Sequence, residues 1–176
     1  VTLPNALTSV RGASGNGYIV GPGVSLVSAN FNGMDLSGAT FIGADISGAL
    51  FTTTTTLTNI TTGELRNSGF ATLSAAYFIR NGFIVGPNVR LNSADLSGIT
   101  LSGYSIARAD LTGANVTNAV FTSADISGAN FTNANFTGVI STGGGITGGN
   151  PAVDGTVFPV IAAGDGGGIW AVRGGY

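Results

Sequence analysis

A Leu, Ile, Val or Phe recurs at every fifth residue through two stretches of the chain, and Ala usually stands two positions before it. The first stretch runs Leu26, Phe31, Leu36, Phe41, Ile46, Phe51. The second runs Leu91, Leu96, Leu101, Ile106, Leu111, Val116, Phe121, Ile126, Phe131, Phe136. Neither the 3.6-residue period of a helix nor the two-residue alternation of a strand gives a period of five. The backbone must instead turn a corner once per repeat and direct one large apolar side chain inward each time, which predicts a solenoid. The polar positions indicate how each corner is made. In Ala44-Asp45-Ile46-Ser47-Gly48 and Ala109-Asp110-Leu111-Thr112-Gly113, the centre and the Ala before it point inward. Asp or Asn before the centre and Ser or Thr after it face solvent or bond the backbone at the turn. Gly in the fifth place supplies the backbone freedom of a tight corner.

This pattern, A-(D/N)-(L/F)-(S/T)-G, resembles that of the pentapeptide-repeat family. The resemblance implies an all-β chain folded as a right-handed, four-sided β-helix, here in two runs joined by β-hairpin-like connectors. The family shares no single activity, so function must be argued from the surface. Ile99 and Tyr104 replace the inward Ala in two units, which predicts local widening or a bulge there.

A longer repeat lies over the fivefold one. Gly17-Tyr18-Ile19-Val20-Gly21-Pro22-Gly23-Val24-Ser25-Leu26 matches Gly82-Phe83-Ile84-Val85-Gly86-Pro87-Asn88-Val89-Arg90-Leu91, 65 residues later. Asn81-Gly82 between Tyr77-Phe78-Ile79-Arg80 and Phe83-Ile84-Val85 is a strong signal for a two-residue hairpin turn, and Asn16-Gly17 repeats it more weakly. Five parts follow: an N-terminal connector (1–25), a short solenoid (26–51), a Thr loop and connector with a hairpin (52–88), a longer solenoid (89–148) and a Gly-rich C-terminal connector (149–176). Within the second connector, the fivefold phase is expected to resume at Ile60, Leu65 and Phe70 after a four-residue loop extruded from the Thr52–Thr56 run.

Trp170-Ala171-Val172-Arg173-Gly174-Gly175-Tyr176 aligns with Tyr77–Phe83, and Val1-Thr2-Leu3-Pro4 with Ala71-Thr72-Leu73-Ser74. The chain therefore reads as starting and stopping in mid-connector, without an initiator Met or signal peptide. Either it is part of a longer multi-module protein or the end of one subunit completes its neighbour's fold. Both readings predict a linear array. Trp170, Val172 and Tyr176 would then meet Tyr18, Ile19 and Val20 of the next module.

Composition narrows the chemistry. Among 176 residues, 30 are Gly and only 8% are charged, for a net charge of −2. Mean hydropathy is positive, yet no apolar run approaches the roughly 18 residues of a membrane span. All six basic residues are Arg; Lys, His and Cys are absent. Metal sites of the His or Cys kind are thus excluded, a nucleophilic Ser would lack its usual base, and no cofactor is implied. Asp35, Asp45, Asp95, Asp110 and Asp125 all occupy the slot before a centre, where corner solvation is the plain explanation. The Gly164-Asp165-Gly166-Gly167-Gly168 run lacks the Lys of a phosphate loop. These features point away from enzyme activity.

Some pentapeptide-repeat proteins mimic DNA and inhibit topoisomerases. That role needs dense negative charge, whereas at four repeats per coil Asp95, Asp110 and Asp125 fall on three different faces. Six scattered Arg make no nucleic-acid patch. Thr117 with Thr137, and Thr112 with Thr132, would stack on hydroxyl-bearing faces suited to ice or carbohydrate. Asn-x-Thr sequons occur at Asn59, Asn115, Asn130 and Asn135. Thr52, Thr53, Thr54, Thr55, Thr56 and Asn59 are candidate glycosylation sites, and glycans are candidate partners. Short solenoids have open backbone edges that need caps, and apolar ends with almost no charge favour self-association. The leading expectation is a non-catalytic structural protein in an extracellular or cell-surface filament or fibre built by end-to-end stacking. A surface or virion fibre or adhesin segment, and a monomeric ice- or carbohydrate-binding solenoid, are the alternatives.

Overall fold

The computed structural model describes residues 7–11 and 17–140. The chain divides into two compact units, Val1–Arg90 and Leu91–Tyr176. In both, the three residues Ala-Asx-centre behave as one pleat of a strand: in, out, in. The outward residue forms a parallel bridge with its counterpart twenty residues on. In unit 2 these bridges are Asp95↔Asn115↔Asn135, Thr100↔Val120↔Ile140, Ser105↔Asp125 and Asp110↔Asn130. Four repeats therefore complete one coil, and each coil presents four faces.

Backbone bonding follows from that register. The centre's N–H donates to the coil above, as Leu96 does to the Asn115 carbonyl at 2.8 Å, while the bridging residue donates to the coil below, as Asn115 does to the Ala94 carbonyl at 2.9 Å. Each corner is closed by the centre's own carbonyl, which accepts from the N–H three residues on (Ala114 to Leu111, 2.9 Å). The third residue of that four-residue turn has positive φ, the type II pattern. Gly occupies many of these sites, but Ser28, Asn59, Glu64, Ser93, Arg108, Asn118, Ser123 and Asn133 hold φ between 50° and 58°. Bonds to the adjacent coil, such as Ser28 N–H to the Ser47 carbonyl at 2.7 Å and Arg108 N–H to the Ser127 carbonyl at 2.8 Å, hold these residues in a conformation they disfavour alone.

The expected centres are buried. Leu96, Leu101, Ile106, Leu111, Val116, Phe121 and Phe131 have no exposed surface, and Ile126 is 4% exposed. Aromatic centres pack together inside: Phe31 stacks on Phe51 of the next coil at 4.8 Å in unit 1, and Phe131 meets Phe136 of the neighbouring face edge-on at 4.9 Å in unit 2. Each such burial contributes roughly 1.5–3 kcal/mol. At the two Ala replacements the structure departs from the expected bulge. The bridges at Thr100 and Ser105 keep the twenty-residue spacing. Ile99 fits inside, and Tyr104 turns part of its ring outward, so the side chains adjust and the backbone does not.

Unit 1 differs from the expectation more. Bridges Ser25↔Asp45 and Asn30↔Leu50 have the spacing of twenty, but Asp35↔Thr56, Thr40↔Thr61 and Asp45↔Arg66 have twenty-one. The Thr run thus inserts one residue at a corner and does not extrude a four-residue loop. Thr55 turns inward and its hydroxyl donates to the Phe31 carbonyl at 2.8 Å. Beyond the insertion Leu57 and Thr62 take the centre positions, while Ile60 and Leu65 fill the slot usually held by Ala. A small centre opposite a large neighbour conserves core volume. Ser68–Phe70 form a 3-10 turn, so the pentapeptide backbone does not continue there.

The third coil of unit 1 then leaves the regular path. Strand β3 (Leu50–Phe51) pairs in parallel with β4 (Thr72–Leu73), and β5 (Phe78–Arg80) pairs antiparallel with β6 (Phe83–Val85). Asn81 and Gly82 form the intervening turn with φ 49° and 77°, as a type I′ hairpin requires. The Gly82 carbonyl accepts the Leu65 N–H at 3.1 Å, which fixes the hairpin against the coil. The chain rejoins the solenoid where Arg90 bridges Thr61. At Gly86 a Cβ would collide with the Tyr77 ring, which accounts for Gly in this Gly-Pro step.

The hairpin β1 (Thr8–Arg11) and β2 (Gly17–Val20) precedes the first coil, with Val10 opposite Tyr18 and Arg11 opposite Gly17. Gly17 is therefore a paired strand residue, and Asn16 lies outside the described residues. The Tyr18 hydroxyl accepts the Asn30 N–H at 3.0 Å, and its ring lies 5.1 Å from Phe31. Val10 and Val20 are buried. This hairpin caps the first coil of its own unit.

Candidate functional surface

The outward bridging residues set the chemistry of each face. Asp or Asn Oδ1 accepts the N–H of the residue two positions on, as between Asp110 and Thr112 at 3.1 Å, and in the same motif accepts the hydroxyl of that residue at 2.6 Å. The arrangement recurs at Asn115 with Thr117, Asp125 with Ser127, Asn130 with Thr132 and Asn135 with Thr137. The hydroxyl protons are thereby directed to the corner's own Asx, leaving oxygen lone pairs toward solvent. Neighbouring coils add a second layer of bonds. Asn115 Nδ2 donates to Asp95 Oδ1 at 3.1 Å, Ser105 Oγ to Asp125 Oδ2 at 2.9 Å, and Asn92 Nδ2 to Asp110 Oδ2 at 2.7 Å.

These donors stabilise the charged carboxylates. The Ser37, Ser97 and Ser127 hydroxyls and backbone N–H groups hold Asp35, Asp95 and Asp125 below their ordinary value of 3.8. Asp45 is lowered chiefly by the Asn67 amide and then by the Ser47 N–H. A depressed folded-state value means stability that is present above the unfolded value and lost as pH falls through the folded one. The melting temperature is therefore expected to be flat above about pH 5 and to fall toward about pH 2. Converting the four Asp to Asn should flatten that fall, since Asn makes the same corner at residues 115, 130 and 135. A melting temperature independent of pH across this window would contradict the bonding pattern.

Arg66 supplies a link of another kind. Its Nε donates to the Gly43 carbonyl at 2.8 Å and its Nη2 to the Gly23 carbonyl at 3.0 Å, so one side chain ties the corners of successive coils. Near it in sequence, Thr52 Oγ1 donates to Asn32 Oδ1 at 2.7 Å, and Thr54 donates to the same oxygen. No group of three or more His, Cys, Asp or Glu that could hold a metal lies among the described residues. No helix among them is long and apolar enough to cross a membrane.

A family model described as pentapeptide repeats matches eight copies, over residues 23–55 and 105–140. Over these residues the chain is made of pentapeptide repeats. Its fold is accordingly the right-handed quadrilateral β-helix. Similar solved structures include the pentapeptide-repeat protein Rfr23 from the cyanobacterium Cyanothece 51142, at 19% identity and a TM-score of 0.37, with 78% of this chain and 89% of that one covered. They also include HetL from the cyanobacterium Nostoc sp. strain PCC 7120, involved in heterocyst differentiation regulation. It has 21% identity and a TM-score of 0.35, with 78% of this chain and 60% of HetL covered. QnrB1, a plasmid-mediated fluoroquinolone resistance protein, is 16% identical with a TM-score of 0.29, over 78% of this chain and 85% of that one. No curated protein matches the chain.

The residues singled out from the sequence are distributed as follows. Trp170, Val172 and Tyr176 lie outside the described residues. Val20 is buried within its own unit and Tyr18 is half-buried against Phe31, so of the three facing residues Ile19 alone is exposed, at 47%. Within the Thr run, Thr53, Thr54 and Thr56 are exposed, Thr52 is half-exposed and Thr55 is buried. Asn59 is exposed at a corner with φ 56°. Asn115, Asn130 and Asn135 instead have their side-chain carbonyls engaged with the Thr two residues on. The Arg66 link had no sequence signal, because its partners are backbone carbonyls 23 and 43 residues away.

Proposed function

We propose that this chain is a non-catalytic structural protein, a subunit or segment of a self-assembling extracellular filament or fibre. The observation that carries this reading is the use made of polar side chains: carboxylates, hydroxyls and amides bond their own corners and the adjacent coil. Side chains engaged in that way brace a scaffold and are poorly placed to act on a substrate. Exposed Ile19, Val27, Ile42, Leu50 and Ile140 on a chain of such low charge favour contact with further copies. A DNA-mimicking role is disfavoured because Asp95, Asp110 and Asp125 belong to three separate ladders, so no acidic stripe forms.

A second reading rests on the face bearing Asp95, Asn115 and Asn135 with Ser97, Thr117 and Thr137. This hydrogen-bonding surface repeats at the strand spacing of about 4.8 Å and could engage ice or a carbohydrate. Negative-stain electron microscopy of the purified chain separates the two. Regular filaments are expected. Compact, monodisperse particles at every concentration would overturn the filament and leave the binding module.

A further inference from the structure

Asn is followed by Gly three times in the chain, at Asn16, Asn32 and Asn81. Such a step is chemically labile, because Gly has no Cβ to shield its nitrogen and lets the backbone fold back on the Asn side chain. The Gly nitrogen attacks the Asn Cγ, a nitrogen–carbon bond forms, and the Cγ–Nδ2 bond breaks. Ammonia leaves with the displaced proton, and water opens the resulting succinimide to aspartate or isoaspartate. Either product adds a negative charge, and isoaspartate adds a backbone atom that would shift the register of a corner.

Asn32-Gly33 lies at the corner that meets the extra residue of the Thr run. Its turn is closed by the Met34 N–H on the Phe31 carbonyl at 2.9 Å, and Gly33 has φ 70°. At the other corners of this coil, the third turn residue donates to a backbone carbonyl of the next coil: Ser28 to Ser47 at 2.7 Å, Gly38 to Thr58 at 2.9 Å and Gly43 to Gly63 at 2.8 Å. Thr52 is the counterpart of Ser47, but its carbonyl accepts the Thr55 N–H at 3.0 Å. The Gly33 N–H goes instead to the Thr54 hydroxyl at 3.1 Å. That hydroxyl donates to Asn32 Oδ1, and the Thr52 hydroxyl donates to the same oxygen at 2.7 Å. The Asn32 N–H is held in turn by Asn30 Oδ1 at 3.0 Å. The nitrogen and the carboxamide of the labile step are thus fastened to one pair of hydroxyls.

We propose that Asn32-Gly33 is a latent site of self-modification, deamidating through a succinimide, and that Thr52 and Thr54 keep it closed. Ring closure requires the Gly33 nitrogen to eclipse the Asn32 Cβ about the Cα–C bond, whereas a type II turn holds the two apart. The hydroxyls lock that turn from both sides of the step. They stand in for the ladder bond that the extra residue removes, so the side chains of the run have a task beyond filling a corner. This holds whether or not copies of the chain assemble.

The test is incubation of the full chain at mildly alkaline pH in heavy-oxygen water, with deamidation located by tandem mass spectrometry. Folded wild type is expected to convert Asn32 many-fold more slowly than the same chain in denaturant. Thr54→Val keeps the β-branch and removes the hydroxyl, and should convert Asn32 several-fold faster than wild type while Asn81 keeps its rate. Thr53→Val should leave the Asn32 rate unchanged, since Thr53 is exposed at the same corner and its hydroxyl makes none of these contacts. An unchanged or slower Asn32 reaction in the Thr54 variant would overturn the proposal. So would an equal rise at Asn32 and Asn81, which reports general loosening, or an equal rise in the Thr53 and Thr54 variants. Hydrogen exchange of wild type tests it even if Thr54→Val fails to fold. The Gly33 amide should be protected as the Gly38 amide is, and rapid exchange at Gly33 alone would overturn the closure.

Discussion

Leu111→Asp is expected to abolish the fold of unit 2. Leu111 is fully buried at a corner of the coils, its N–H donating to the Asn130 carbonyl at 2.7 Å and its carbonyl accepting from Ala114. Removing the side chain alone costs about 2–5 kcal/mol. Leaving a carboxylate between apolar layers with no partner adds several more. The total reaches a sizeable fraction of the roughly 5–15 kcal/mol that stabilises a typical domain. Leu111→Met, which conserves volume, should cost less than about 1.5 kcal/mol. Thermal unfolding followed by circular dichroism checks both variants. An unchanged melting temperature for the Asp variant would mean that the centres do not face inward.

The second large effect is expected at Gly82→Val. The position holds φ 77°, and a Cβ there would lie 3.1 Å from the Leu65 nitrogen and 3.2 Å from the Glu64 nitrogen. Those neighbours are backbone and cannot rotate away. Left-handed strain on a β-branched residue and overpacking together predict about 2–4 kcal/mol. The loss should concentrate where the hairpin meets the coil. Hydrogen exchange is expected to accelerate at Leu65, whose N–H donates to the Gly82 carbonyl, and at Ile84, whose N–H donates to the buried Thr62 hydroxyl at 3.0 Å. Asn81→Gly suits the same turn type and should leave these amides protected. Full protection of Leu65 and Ile84 in the Val variant would refute the turn assignment.

The period of five made the solenoid and its inward residues legible, because a single large side chain per corner is a geometric necessity that composition cannot disguise. The roles of Asp, Asn, Ser and Thr at the corners were legible for the same reason. The Thr run was misread because counting apolar residues cannot tell a centre from the slot two before it. Ile60 and Leu65 look like centres only if Thr62 is assumed to be polar surface. In the structure Thr62 is buried, and Ile84 satisfies its hydroxyl from 22 residues away. Arg108 and Glu64 at left-handed corners were equally hidden, since local propensity assigns that conformation to Gly or Asn and the coil overrides it. Among the candidate surface residues, the exposure of Asn59 followed from its corner position. The burial of Val20 did not, because it depends on how β1 and β2 close over the first coil.

The twenty-residue ladder couples chain length to the direction in which each residue faces. Gain of a whole coil would lengthen a unit and leave every downstream residue above its former neighbour. Gain of a single pentapeptide would turn everything after it by a quarter of a circuit. Asp125, now beside Ser105, would then lie over Asp110, placing two carboxylates where a carboxylate and a hydroxyl now meet. The lone extra residue among the threonines escapes this rule because a corner absorbs it. A gene for such a protein can therefore drift by one residue or grow by twenty, while steps of five rearrange its whole exterior.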